Sequence, residues 1–144
     1  NSMSGSKINV AKQAIEYIKD KLHPEMILGI GTGSTVNFFI EELKDIRNNF
    51  AGAVSSSEAS SRLLSENGIE VFNLNDISEI AFYIDGADEV APNKELRAIG
   101  LFTIFLHSHD IGASRNLSTS KDARCRSHVQ GLRCGTRRNT LAYL

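Results

Sequence analysis

Near the start of the chain, Val10, Ala11, Ala14, Ile15, Ile18 and Leu22 recur at steps of three and four. That spacing predicts an amphipathic helix over 7–22, with Ser6 as its N-cap and Pro24 as its stop. Residues 26–30 are a short apolar run entering a glycine cluster, as a buried parallel strand does. Beyond the glycines, Val36, Phe39, Ile40, Leu43 and Ile46 share one helical face. A second unit follows, with a strand at 51–54, a helix at 58–67 and Gly68 where a helix end favours a left-handed residue. A short strand at 69–72, a polar turn over 73–78 and a strongly apolar strand at 80–84 complete the pattern. Strands alternating with helices predict the α/β class, a mostly parallel sheet with helices on both faces.

Composition adds a boundary that the pattern does not. The chain has 144 residues and 41% hydrophobic content, enough for one domain with a real core. No apolar run approaches the roughly 18 residues of a spanning helix, and the N-terminus lacks a signal-peptide pattern. A soluble, cytoplasmic protein without a membrane partner is therefore expected. Up to Leu96 there are 8 basic against 15 acidic residues, a balance of −7; from Arg97 on there are 8 against 2, a balance of +6. Three of four histidines, both cysteines and seven of nine arginines lie in that last third. The chain accordingly divides into 1–6, a tag scar (Asn1 and Ser2 precede Met3) and lead; 7–96, a catalytic-type domain; and 97–144, an atypical basic tail.

In parallel α/β sheets ligands sit beyond the carboxyl ends of the strands, so the residues there carry the candidate chemistry. After the first strand comes Gly29-Ile30-Gly31-Thr32-Gly33-Ser34-Thr35. Its glycines, hydroxyls and following helix N-terminus suit a phosphate, although the spacing is neither the dinucleotide fingerprint nor a Walker loop. A plain strand-to-helix turn with Ser34 as N-cap is the alternative. After the second strand, Ser55, Ser56, Ser57 and Ser60 can bind a sugar or phosphate, or simply cap the next helix, the role that suits Ser57 with Ser60. After the strand ending at Ile84 stand Asp85, Gly86, Ala87, Asp88 and Glu89. Two carboxylates three apart across a glycine can converge on one substrate for acid–base work, or form a solvated acidic turn.

Taken together, Gly-Ile-Gly-Thr-Gly-Ser-Thr at 29–35, Ser-Ser-Ser-Glu-Ala-Ser at 55–60 and Ile-Asp-Gly-Ala-Asp-Glu-Val at 84–90 resemble ribose-5-phosphate isomerase of the A type in wording, order and spacing. The resemblance covers 7–96. It implies a Rossmann-like catalytic domain, a homo-oligomer, no metal and no cofactor. It implies interconversion of ribose 5-phosphate and ribulose 5-phosphate in the pentose phosphate pathway. Residue by residue, it assigns Thr32, Gly33, Ser34 and Thr35 to the sugar phosphate, with Lys7 approaching the phosphate. Asp85 and Asp88 become the active-site aspartates that assist ring opening and bind sugar hydroxyls, and Gly86 and Ala87 between them are assigned to substrate binding. Enediolate chemistry further needs a base and a cation or amide cluster at the oxyanion. In the family these come from a lysine, a glycine triplet and a glutamate nine residues after the lysine.

This sequence departs from the family at that point. Ala98 stands at the lysine position, Ile99-Gly100-Leu101 replaces the triplet, and His107 stands at the glutamate position; Lys94 falls in the variable loop. A shifted reading frame or aberrant splicing joins a family half to an unrelated tail in this way. The alternatives are thus a non-catalytic sugar-phosphate binding domain and an inactive fragment. Within the tail, residues 101–106 are apolar enough to add a strand, and the remainder reads as loop. Cys125, His128 and Cys134 with His107 and His109 match no standard zinc spacing. The arginines lack the aromatic interleaving of a nucleic-acid surface, so no nucleic-acid partner is expected.

Overall fold

A computed structural model of the chain describes residues 2–86, 102–111, 115–120 and 141–143. Helix α1 spans Ser2–Ile18 and ends in a 3-10 turn at Lys19–Lys21, after which Leu22 is extended ahead of Pro24. Strand β1 (Ile27–Ile30) leads into α2 (Ser34–Leu43), and β2 (Gly52–Ser55) into α3 (Glu58–Glu66). A 3-10 turn at Leu74–Asp76 precedes β3 (Phe82–Gly86). Three further strands follow: β4 (Phe102–Ile111), β5 (Arg115–Ser120) and β6 (Leu141–Tyr143).

The sheet runs β2-β1-β3-β4-β5-β6, parallel through the first four strands and antiparallel across β5 and β6. This is the α/β class the alternation predicted, and the crevice where the order reverses lies at β1. Successive side chains of a strand face opposite ways, so each strand splits its apolar residues between two cores. Leu28, Ile30, Ala53, Phe82, Ile84, Ile104 and Leu106 join α1, α2 and Leu64 of α3 in the larger core. Val54, Tyr83 and Ile80 form the smaller one, with Ile27, Phe72, Leu74 and Ile77 packed against it. Among the described residues, the second face is therefore covered by the 72–80 segment and its 3-10 turn rather than by an α-helix. Val71 makes a parallel bridge to Ala53, which places residues 69–72 at the outer edge of β2. That keeps α3 on the face of α2.

Several boundaries differ from the sequence expectation. Ser6 is not a cap: α1 begins at Ser2 and runs through it. The strand expected at 80–84 is β3, Phe82–Gly86, so Asp85 and Gly86 belong to the strand rather than to a loop beyond it. The reason is pairing: Asp85 and Gly86 are in register with Phe105 and Leu106 of β4, which extends the ladder past the apolar run. Of the run at 101–106, residues 102–106 do supply a sheet strand as expected, and β4 continues from them to Ile111. The remainder of the tail is not all loop, since β5 and β6 continue the sheet. No helix among the described residues is long and apolar enough to cross a membrane.

Candidate functional site

Residues 29–35, 55–60 and 84–86 meet at the carboxyl ends of β1, β2 and β3. Leaving β1, Gly31 N–H donates to Ile84 O of β3 at 2.7 Å, and Ser56 N–H donates to Ile30 O at 3.0 Å. The Ile30–Gly31 peptide is thus held between β3 and the residue that follows β2. Gly33 then turns the chain into α2 at φ 113°, a backbone region that disfavours any side chain. Gly33 is the N-cap and accepts from Asn37 N–H at 2.9 Å, whereas Ser34 is the first helical residue. The expected N-cap role of Ser34 is corrected accordingly. The side chain of Ser34 has another partner: Lys7 Nζ of α1 donates to its Oγ at 2.5 Å.

The serine triplet ties α3 to the same turn. Ser57 caps α3, its Oγ accepting from Ser60 N–H at 3.1 Å, and donates to Thr32 Oγ1 at 3.0 Å. Ser60 Oγ, fully buried, donates to Gly31 O at 2.7 Å. Ser55 Oγ closes a local turn, donating to Ser57 O and accepting from Ser57 N–H. The capping reading of Ser57 with Ser60 is therefore correct, and the same two hydroxyls also hold the Thr32 side chain and the Gly31 carbonyl. Ser56 Oγ is buried and has no hydrogen-bond partner among the described residues.

Below the turn lies Asp85, with no exposed surface. A buried carboxylate is tolerable only with donors around it. Asp85 Oδ1 accepts from Gly86 N–H at 2.8 Å and, at a longer 3.4 Å, from Thr32 N–H. Oδ2 accepts from Tyr83 O–H at 2.9 Å. The fit is so close that a Cβ on Gly31 would lie 2.1 Å from Asp85 Oδ1. Gly31 is thus a glycine because a carboxylate lies against it.

Of the residues singled out from sequence, Lys7, Thr32, Gly33, Ser34, Thr35, Asp85 and Gly86 come together at this sheet end. Thr32, Gly33, Ser34 and Lys7 are half-buried, whereas the Thr35 residue is 2% exposed, leaving its backbone N–H at the helix start as the group it offers. Ala87 and Asp88 lie outside the described residues, as do Cys125, His128 and Cys134. Among the described residues no group of three or more His, Cys, Asp or Glu side chains is placed to hold a metal. Sequence reasoning missed Tyr83. The signal was present, because residues two apart on a strand share a face.

Comparison with known proteins bears on this geometry. The family model for "Ribose 5-phosphate isomerase A (phosphoriboisomerase A)" matches residues 52–100. Ribose-5-phosphate isomerase A of Mannheimia succiniciproducens is 49% identical over 94 residues, 65% of this chain and 41% of that protein. The protein of the same name from Legionella pneumophila is 48% identical over 94 residues, covering 65% and 42%. Among solved structures, ribose 5 phosphate isomerase A from Neisseria gonorrhoeae superposes with a TM-score of 0.53 at 43% identity, covering 62% of this chain and 38% of that one. A D-ribose-5-phosphate isomerase in complex with phospho-erythronic acid gives a TM-score of 0.52 at 30% identity, covering 63% and 40%. The chain spans about two fifths of the length of the curated relatives it matches.

Proposed function

Since the chain belongs to the ribose 5-phosphate isomerase A family over the segment it shares with these relatives, we propose that its function is the one they are named for. That reaction interconverts D-ribose 5-phosphate and D-ribulose 5-phosphate through an enediolate, in the pentose phosphate pathway of the cytoplasm. The present chain contributes the sugar-phosphate-binding part of that site. The observation carrying the reading is the 31–35 turn: a strand-to-helix passage whose backbone is held by Ile84, Ser60 and Asp85 and whose N–H groups sit at the start of α2. Such a helix start is electropositive and favours a phosphate.

In this reading Thr32, Gly33, Ser34 and Thr35 bind the phosphate through backbone N–H and hydroxyl donors. Lys7, already on Ser34 Oγ, supplies a cation at the same end. Asp85 and Asp88 assist ring opening and hold sugar hydroxyls, and Gly86 and Ala87 bind substrate beside them. Neither metal nor cofactor takes part, and the working form is a homo-oligomer. A second reading, a non-catalytic sugar-phosphate binding domain, is favoured by one observation: Ala98, Ile99-Gly100-Leu101 and His107 stand where the family has its lysine, glycine triplet and glutamate.

A crystal of this chain soaked in ribose 5-phosphate tests the common part of both readings. The expected result is the phosphate against residues 31–35. A phosphate bound elsewhere, with this turn empty, would remove the proposal.

A further inference from the structure

We propose that Tyr83 is a positioning residue of this site: acting through Asp85, its phenol sets the Gly31–Thr32 turn in the geometry that receives a phosphate. The phosphate part of this inference rests on the function proposed above; the positioning part does not.

The ring of Tyr83 has little freedom. It is 3% exposed, packs with Val54 and Ile80, and lies so close over Gly29 that a Cβ there would be 2.8 Å from Tyr83 Cδ1. The sheet core therefore fixes where its oxygen stands, 2.9 Å from Asp85 Oδ2. A hydrogen bond at one carboxylate oxygen restrains rotation of the whole group, which fixes the other oxygen on Gly86 N–H and Thr32 N–H. The turn responds to any such rotation, because Gly31 is in contact with the carboxylate and held from above by Ser60 Oγ and Ile84 O. Rotating Asp85 either takes Oδ1 away from Thr32 N–H or drives the carboxylate into Gly31. The line from Tyr83 to Asp85 to Thr32 thus couples the smaller core to the mouth of α2.

The test uses Tyr83→Phe in the full chain, which keeps the ring and removes one oxygen. Two-dimensional NMR is expected to show the Thr32 and Gly86 amide protons moving upfield while the α1 amides stay in place. Titration with ribose 5-phosphate is expected to give an affinity weakened by about tenfold, the order set by one hydrogen bond to a charged group. In an Asp85→Ala background, which removes the group the phenol bonds, the same substitution should cost little more, because the phenol acts through the carboxylate. Should Asp85→Ala fail to fold, the amide shifts of Tyr83→Phe alone decide. Unmoved Thr32 and Gly86 amides would overturn the proposal, as would affinity losses that simply add in the double variant. If the unsubstituted chain does not bind ribose 5-phosphate, the proposed function fails, while the amide shifts still decide the role of Tyr83.

Discussion

Gly31→Ala is the sharpest change available at single-residue scale. The added Cβ would lie 2.1 Å from Asp85 Oδ1 and 2.2 Å from its Cγ, and Asp85 is buried among donors rather than free to swing away. Overpacking of this kind costs about 1–3 kcal/mol. The expected outcome is a lower melting temperature together with at least a tenfold loss of ribose 5-phosphate affinity, read by calorimetric titration. Asp85→Asn has a different signature. An NH2 at the Oδ1 position would face Gly86 N–H, so the amide turns its NH2 to the Oδ2 position, where the Tyr83 hydroxyl can rotate and accept from it. Bonds to a charged group become bonds to a neutral one, and a loss of about 1 kcal/mol in denaturant unfolding is expected, alongside weakened binding; unchanged stability would show that the carboxylate is not held as described. Sequence marked Asp85 as a chemical group but placed it in a loop, because hydropathy sees only the apolar part of a strand. The partner that extends the strand, β4, lies beyond the point where family resemblance stops.

Helix ends show what was and was not legible among the elements. The serines at 6, 34 and 57 all read as caps, yet only Ser57 is one; α1 starts at Ser2 and Gly33 occupies the cap of α2. Cap preference depends on where the backbone leaves the helix, and a chain with serine before, at and inside helix starts leaves that choice to tertiary contacts. The apolar spacing was a better guide: Val36, Phe39, Ile40 and Leu43 are all buried on α2, and Val10, Ala11, Ala14 and Ile18 on α1. Two substitutions separate the cases. Ser57→Ala should cost about 1 kcal/mol by loss of the cap, and should shift the Thr32 resonances because Ser57 Oγ also donates to Thr32 Oγ1. Ser6→Ala, inside a helix, should be neutral or stabilising by up to about 0.5 kcal/mol. Both are measured by denaturant unfolding, and a stability loss at Ser6 matching that at Ser57 would contradict the observed start of α1.

Across the whole molecule the family-like part and the tail share one sheet, β4 pairing in parallel with β3 and burying Ile104 and Leu106 in the larger core. The apolar run at 101–106 made that strand legible, whereas β5, with the sequence RNLSTS, carries no hydrophobic alternation and draws its order from the ladder with β4. A tail that completes a sheet does not thereby complete an active site. Enediolate chemistry needs a base and an oxyanion partner, and the positions that resemblance assigns to them hold Ala98, Ile99-Gly100-Leu101 and His107. Loss of a general base costs about 10² to 10⁴ in rate, and loss of an oxyanion-stabilising group a further factor of about 10² to 10³. An imidazole titrates near neutrality and is a competent base. His107, however, lies in β4 just where the pairing with β5 loses its register, between Leu106 and Ile111, and without the glycine segment that places the family's glutamate. The polypeptide with this sequence is therefore expected to bind ribose 5-phosphate without converting it at an enzymic rate. Expression of this sequence, confirmation of its mass and a continuous assay for ribulose 5-phosphate provide the measurement. Turnover comparable to that of a full-length relative would mean that the tail supplies a substitute base, and His107→Ala would then be expected to abolish it.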